Sequence, residues 1–274
     1  MYGQMLKTDP VGLLIWIAYY MVVVLTSLIL HECAHGYVAW RCGDPTAKMM
    51  GRLSLDPRKH LDPMGTISMV LFGFGWAKPV PVNPRNFRSW SEGDGEDRAR
   101  AVRRDDFLVS IAGILTNFSL FLVCLALAVG INGIMWKPGL YSYYIETHRV
   151  IELISPYSGV GGSIAYAGSI SSFGEYLAQP WLIYVQRFLL LMTTVNLALA
   201  VFNFLPIPPL DGYHIFNDLL LKGRFQLNSN TFRIAQTVLL LLCFSGALSG
   251  LLSTVNSTVY DAVLGVMLRI AGVY

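Results

Sequence analysis

The sequence predicts an all-α polytopic membrane protein with about four to six transmembrane helices, a re-entrant segment and a short membrane-associated β-hairpin or edge strand. Two observations, the composition and the length of the uncharged blocks, predict this class. Hydrophobic residues make up 54% of the 274 residues, and charged residues only 14%, against about 25% in an ordinary soluble domain. Four uncharged blocks reach the length of about 20 residues that a transmembrane helix needs. The net charge of +3 gives no indication of a nucleic-acid partner.

The first element is a long apolar helix. Residues 11–30 carry no charge, and the helix is expected to end near Arg41, before the helix-breaking residues 43–45. About 31 residues at 1.5 Å per residue give roughly 46 Å. The helix is therefore longer than the bilayer core, and its last turns should leave the hydrocarbon.

The second apolar block, residues 63–77, is too short for a straight span, so a re-entrant course is favoured over a full crossing. Valines and prolines alternate over residues 76–83, a pattern tolerated on an edge strand but not on a central one. Residues 84–105 are expected to form a solvated loop. For residues 137–180 the sequence predicts a connection without assigned structure.

The remaining elements follow from the other uncharged blocks and from the prolines. Further spans are expected over residues 106–136, 181–205 and 232–255, a short helix over 213–222, and a last interfacial or half-spanning helix over 259–271. With a re-entrant segment at 63–77, most lysines and arginines share one side, which the positive-inside rule makes cytoplasmic. A full crossing at 63–77 would place the basic residues of 78–105 on the opposite side.

The pentapeptide from His31 to His35 reads His-Glu-Cys-Ala-His. Residues four apart lie on one helix face, so both imidazoles can bind one Zn²⁺ while Glu32 addresses a metal-bound water. The alternative is a helix that merely reaches solvent at His31. Polar residues at the end of an apolar span are costly without a partner or a function, which favours the metal site.

Zinc also needs a third protein ligand and an open position. Asp211 follows a span that is broken by prolines at positions 206, 208 and 209, and such non-helical backbone is tolerated at membrane depth only against protein or a water-filled cavity. Asp211 is therefore the candidate ligand, with a role as helix N-cap as the alternative. His214 either lies beside the metal or on the surface, and His60 is expected to be solvated.

Three stretches together carry a family resemblance: the His-Glu-x-x-His motif, the segment from Asn203 to Gly212, and the segment from Gly51 through Asp62 to residues 76–83. The chain resembles the site-2 protease family of intramembrane zinc metalloproteases, especially small bacterial members without PDZ or CBS domains. The resemblance covers roughly residues 11–125 and 181–222. Residues 112–117 depart from the family pattern, because Ile114 replaces a proline.

The resemblance implies one Zn²⁺ per chain, bound by His31, His35 and Asp211, with Glu32 as the general base that takes a proton from the zinc-bound water. It also implies that Asn203 contacts the substrate carbonyl and the developing oxyanion; interhelical hydrogen bonding is the alternative.

An unwound substrate segment could be captured by β-augmentation. The residues expected to bind it are Trp76, Lys78, Val80 and Val82, with a purely structural hairpin as the alternative. Asn117 either contributes to substrate binding or packs near the site.

These expectations combine into one membrane-embedded metalloprotease domain over residues 1–274. Its core comprises 11–125 and 181–222, with a non-cytoplasmic connection at 137–180 and accessory helices at 225–274. Its expected partners are a transmembrane protein substrate and the lipid bilayer of a bacterial inner membrane, with the active site toward the cytoplasm.

The expected outcome is regulated intramembrane proteolysis or clearance of remnant peptides. The alternatives are a non-catalytic zinc sensor or transporter and a pseudoprotease; the intact Glu32 argues against the latter. The sequence indicates no oligomeric state.

Overall fold

The computed structural model describes residues 6–72, 75–91, 94–166, 171–225 and 227–273. Across this part of the chain helices dominate and no sheet forms, which confirms the all-α prediction. The principal helices are α1 (Pro10–Cys42), α2 (Pro63–Phe72), α3 (Gly95–Met135), α4 (Leu182–Asn203), α5 (Asp211–Leu219), α6 (Ser229–Phe244) and α7 (Ser249–Ile270). Shorter helices occupy Thr46–Met49, Arg88–Ser91, Pro138–Glu146, Val150–Ile154 and Gly159–Tyr166, and 3-10 turns occupy Pro57–Lys59, Pro84–Asn86 and Ser171–Tyr176.

Four of the described helices, α1, α3, α4 and α7, are long and apolar enough to cross a membrane. The prediction of a span over residues 232–255 is wrong. Helix α6 ends at Phe244, and the chain turns through Gly246, whose φ of +73° favours glycine, before α7 begins at Ser249. The helix expected over 259–271 is therefore the second half of α7.

The prediction of a solvated loop over 84–105 is wrong in its second half, because α3 begins at Gly95. Apart from Val102, residues 96–105 are acidic residues, arginines and alanines, and arginine, alanine and glutamate favour a helix. Glu96 and Asp97 lie in the first turn, where negative charge stabilises the positive end of the helix dipole.

The edge strand expected over residues 76–83 is reduced, among the described residues, to one isolated antiparallel bridge between Leu61 and Ala77. Next to it, Lys78 N donates to His60 O at 2.8 Å. Pro79 and Pro81 lack an N–H, so a regular ladder cannot continue. The preceding segment forms α2, but residues 73 and 74 lie outside the described part, and its re-entrant course stays a prediction.

The chain divides into two compact units. The first comprises Met1–Val24, Ser119–Leu197 and Ser253–Tyr274. It contains residues 137–180, the connection to which the sequence assigned no particular structure. The short helices of this connection bury Leu153 and Ile154 completely. The indole of Trp16 donates to Ala165 O at 3.1 Å, so polar contacts as well as apolar packing order this connection.

The second unit comprises Leu25–Phe118 and Ala198–Leu252, and it contains every predicted metal ligand. One buried cluster joins Ala39 of α1 to Phe87 and to Val109 of α3. Another joins α3, α4 and α5 through Ile114, Ala200 and Ile215. Apolar packing thus holds α1, α3 and the first turns of α5 together.

Candidate metal centre

Helix α1 presents His31 and His35 on one face, and both are buried. Their rings meet edge to face with centroids 4.6 Å apart, and their Nε2 atoms lie 3.0 Å from each other. Asp211, the first residue of α5, places its Oδ2 atom 3.3 Å from each of these nitrogens. The structure therefore brings together the three residues that the sequence singled out as ligands.

The hydrogen bonds behind the imidazoles determine which ring nitrogens carry hydrogen. His35 Nδ1 lies 2.7 Å from Val109 O, and because a carbonyl oxygen only accepts, Nδ1 is the donor. His31 Nδ1 donates in the same way to Asn117 Oδ1 at 2.6 Å. In the neutral rings both Nε2 atoms then present lone pairs toward each other and toward the carboxylate.

This arrangement fits a metal ion. Asp211 Oδ2 is buried and has no hydrogen-bond partner among the described residues, so the group presents three electron-pair donors without a shared proton. Two ligands of a tetrahedral zinc, each at about 2.0–2.1 Å, are separated by about 3.3 Å, close to the observed 3.0–3.3 Å. His31, His35 and Asp211 could therefore hold Zn²⁺, with Asn117 and Val109 orienting the rings.

Gly113 of α3 lies directly against the imidazoles. A Cβ atom at this position would be 2.4 Å from His35 Nε2 and 2.5 Å from His31 Cε1, so a larger residue would displace the ligands. No residue type between positions 112 and 117 marks Gly113 as a site residue in the sequence alone. The carbonyl of Val109 was also missed, because a main-chain acceptor leaves no signal in the residue type.

Asp211 reaches the histidines because the chain turns sharply after α4. A Cβ at Gly212 would lie 2.4 Å from the carbonyl oxygens of both Phe204 and Leu205, so glycine permits α5 to start against that turn. The N-cap of α5 is Leu210, and Asp211 lies inside the first turn. The alternative role of Asp211 as the N-cap is therefore not observed.

Glu32 contacts the segment expected to bind substrate. Its Oε2 atom accepts a hydrogen bond from Val80 N at 2.8 Å. Gly36, one turn further along α1, allows close approach, since a Cβ there would lie 3.0 Å from Val80 Cγ1. Arg52 holds the same segment by donating to Lys78 O at 2.7 Å. Residues 78–80 thus lie along α1 beside Glu32.

The other residues expected at the site differ in how exposed they are and in what they contact. Trp76 is half-buried, the Lys78 side chain is exposed, and Val82 packs against the cluster of Ala39, Phe87 and Val109. Asn203 Nδ2 donates to Leu199 O, within α4, at 3.1 Å. The catalytic role of Asn203 and the substrate-binding role of residues 76–82 stay predictions.

Two histidines outside the metal group differ in their surroundings. The prediction that His60 is solvated is wrong: it is 2% exposed, and its Nε2 donates to Ser54 O at 2.7 Å. His214 lies beside Asp106, with Nδ1 3.3 Å from Oδ2. This carboxylate raises the pKa of His214 above its usual value, although burial opposes the shift.

Comparison with known proteins finds relatives whose names are consistent with a metal centre at this site. Residues 19–246 match the family described as Peptidase family M50. The chain is 36% identical over 205 residues to "Putative zinc metalloprotease YwhC" of Bacillus subtilis (strain 168), covering 75% of this chain and 70% of that protein. It is 29% identical over 150 residues to "Putative zinc metalloprotease Rip2" of Mycobacterium tuberculosis (strain H37Rv), covering 52% and 53%. No solved structure gives a significant match.

Proposed function

This chain belongs to peptidase family M50 and is a zinc metalloprotease, and we propose that it hydrolyses peptide bonds in or near the transmembrane segments of other membrane proteins. One observation carries the proposal: in the group of His31, His35 and Asp211, both histidines are buried and lie on α1, a helix apolar enough to cross a membrane. A ligand set at that position suits a substrate that is itself embedded in the bilayer.

Zinc bound by His31, His35 and Asp211 would lower the pKa of a coordinated water and polarise the scissile carbonyl. The chain supplies the proton transfer. We assign Glu32 as the general base that accepts a proton from the attacking water and passes it to the leaving amide nitrogen. The hydrogen bond from Val80 N to Glu32 Oε2 supports this role, because it orients the carboxylate.

Asn203 is the proposed donor to the substrate carbonyl. An amide nitrogen has two hydrogens, and one is directed to Leu199 O. The second is the one that we assign to the oxyanion that develops during attack. Asn117 we assign to orientation of His31, since it is completely buried behind the ring.

Residues 76–82 are the proposed docking segment for an unwound substrate. The N–H groups of Lys78 and Val80 already donate to His60 O and Glu32 Oε2, and Pro79 and Pro81 have none. Between residues 78 and 81 the segment therefore has carbonyl oxygens rather than N–H groups for a substrate. We expect an extended substrate to bind by donating its own N–H groups.

We propose that the protein resides in a bacterial inner membrane with its active site toward the cytoplasm, and that it acts in regulated intramembrane proteolysis or in clearance of remnant peptides. The concentration of basic residues in 41–60, 78–105 and 222–233 supports this orientation. A protease-cleavable tag between residues 91 and 95 tests it. Cleavage of the tag only from outside intact cells would contradict the orientation.

The test of the enzymatic proposal uses the full chain purified in detergent. Zinc per chain and cleavage of single-span substrates are measured for the wild type, Glu32→Gln and the matched exposed control Glu146→Gln. We expect zinc in all three proteins and cleavage only by the wild type and the control.

Two outcomes would overturn parts of the proposal. Zinc binding without cleavage by the wild type would favour the non-catalytic alternative, a zinc sensor or transporter. Equal cleavage by the wild type and Glu32→Gln would remove Glu32 from its role as general base.

A further inference from the structure

A cavity of about 690 Å³ lies apart from the group of His31, His35 and Asp211. It is lined by the first turns of α3, from Glu96 to Phe107, and by residues 218–224 at and beyond the end of α5. None of the residues assigned to zinc or to catalysis lines it.

The lining of this cavity is strongly basic. Among the residues that the structure describes, five cationic side chains border it against two carboxyl groups, those of Glu96 and Asp218. The cations come from two segments distant in sequence: Arg100, Arg103, Arg104, Lys222 and Arg224.

Most of these cations lack a carboxylate partner. Arg104 pairs with Asp105 at 3.0 Å, whereas no ion pair joins Arg100, Arg103, Lys222 or Arg224 to an acid within the part of the chain that the structure describes. Burial, together with the nearby charge of Asp106, raises the pKa of Asp218 to about 7. Near neutral pH this carboxyl is therefore partly protonated, and it neutralises less than one positive charge of the cavity. Cations held close together repel one another unless an anion lies between them.

The backbone is shaped to bring the two basic segments together. Gly223 has a φ of +73°, and a Cβ there would lie 3.0 Å from Arg103 Cδ. Lys222 also has a positive φ, 54°, which is uncommon for a residue other than glycine. This turn folds Lys222 and Arg224 back against the arginines of α3.

The surroundings of the cavity are amphipathic. On α3 it reaches Phe107, where the uncharged stretch of this candidate span begins. From the same segment, Leu220, Leu221 and Phe225 also line an apolar groove of about 450 Å³, together with Phe216 and others. A basic cavity and an apolar groove that share one short segment suit a molecule with an anionic head and an acyl chain.

We propose that this basic cavity binds a phosphate-bearing anion through Arg100, Arg103, Lys222 and Arg224. Guanidinium groups match phosphate oxygens in bidentate geometry, and lysine adds a point charge. An anionic phospholipid headgroup and a soluble phosphate share this chemistry, and basic clusters at the ends of spans are typical sites for anionic lipids.

The test measures binding to the full chain in detergent by native mass spectrometry. The probes are dioctanoyl-phosphatidylglycerol, dioctanoyl-phosphatidylcholine with the same chains but no net charge, inorganic pyrophosphate and a hexaglutamate peptide. The triple variant Arg100→Gln, Arg103→Gln, Arg224→Gln is compared with a control of equal charge change, Arg58→Gln, Arg85→Gln, Arg233→Gln, whose three residues are exposed and do not line the cavity.

We expect the wild type and the control to bind phosphatidylglycerol, and the triple variant to bind it about 100-fold more weakly. Preference for phosphatidylglycerol over pyrophosphate identifies a lipid headgroup as the source, and comparable affinity with mutual competition identifies the soluble anion. Equal binding by the wild type and the triple variant overturns the site. Equal binding of the two lipids, or hexaglutamate binding as tightly as pyrophosphate, overturns its phosphate chemistry.

The zinc content of each variant verifies its fold independently of proteolysis. Should the triple variant not fold, the single variant Arg224→Gln at an exposed position is expected to weaken phosphatidylglycerol binding about fivefold. Unchanged binding by that variant would count equally against the site.

Discussion

The Oδ1 atom of Asn117 lies 2.6 Å from His31 Nδ1, and the Asn117 side chain is completely buried. Eight residues earlier on α3, the carbonyl of Val109 accepts from His35 Nδ1, and Gly113 lies midway between them. Spacing by four places all three on one face of α3. One helix therefore supplies both groups that orient the imidazoles and the glycine that gives the rings room.

Replacing Asn117 with alanine is expected to weaken zinc binding about 10- to 100-fold, because His31 loses the acceptor that sets its tautomer and orientation. Competition with a zinc chelator measures the effect. Asn117→Asp keeps an acceptor and should retain more affinity. Asn132→Ala is the control, since that buried amide bonds to Ala128 and Trp136 instead. Equal zinc affinity in Asn117→Ala and the wild type would contradict the orienting role.

Gly113→Ala is expected to abolish stoichiometric zinc binding, because the added methyl group would overlap the imidazoles of His31 and His35. Gly130→Ala is a matched control in the same helix, where a Cβ meets nothing within 4 Å. Metal content after purification measures both variants. A Gly113→Ala protein with one zinc per chain would show that the helices separate without loss of the site.

Arg52→Ala is expected to raise KM for a single-span substrate while changing kcat less, since Arg52 holds the docking segment through Lys78 O. This prediction rests on the proposed role of residues 76–82. Arg58→Ala, which removes an exposed arginine from the neighbouring turn, is the control. A fall in kcat with KM unchanged would instead indicate that Arg52 acts on Glu32 through Val80.

Asp44 anchors the chain that follows the docking segment. Completely buried, it accepts hydrogen bonds from Asn83 N at 2.7 Å and from Asn86 Nδ2 at 2.9 Å. Burial alone would raise the pKa of Asp44, but these donors and those of Thr46 hold it below its usual 3.8.

A carboxyl with a lowered pKa stabilises the fold above its usual pKa, and this contribution is lost as the pH falls through the lower, folded-state value. We expect Asp44→Asn to reduce the free energy of unfolding by about 1–3 kcal/mol at neutral pH, and by less in strong acid. Thermal unfolding in detergent at both pH values measures the difference, with Glu146→Gln at an exposed position as the control. An equal loss at both pH values would contradict the role of the Asp44 charge.

Phosphatidylglycerol binding at the basic cavity is expected to weaken between about pH 6 and about pH 8 as Asp218 ionises. Burial and Asp106 raise the pKa of Asp218, whereas His214 and Arg103 lower it. Loss of the proton from His214, whose pKa Asp106 raises, acts in the same direction. Asp218→Asn should reduce this pH dependence, and affinities measured at both pH values test it. If the pH dependence of binding is the same in Asp218→Asn as in the wild type, the Asp218 carboxyl is not its cause.

The local sequence was sufficient for features that depend on composition or on spacing along one helix. Helix α1 was expected near residues 11–41 and is observed at Pro10–Cys42, because its apolar run is ended by a glycine and a proline nearby. Helix α6 ends eleven residues before the predicted end of its span at 255. The uncharged run continued past Ser245 and Gly246, so composition gave no sign of the break.

By itself, the sequence determined that the chain is helical and apolar enough for a membrane, and that His31 and His35 share a helix face. Both follow from periodicity and residue type, which act over a few turns. Tertiary structure decided that Asp211 closes the group with them and that Glu32 meets Val80. It also decided that Arg103 faces Lys222 and Arg224 across one cavity. Those relationships join residues tens to nearly two hundred positions apart, and residue type and periodicity act only over a few turns, so the packing of distant segments brings these residues to one site or one cavity.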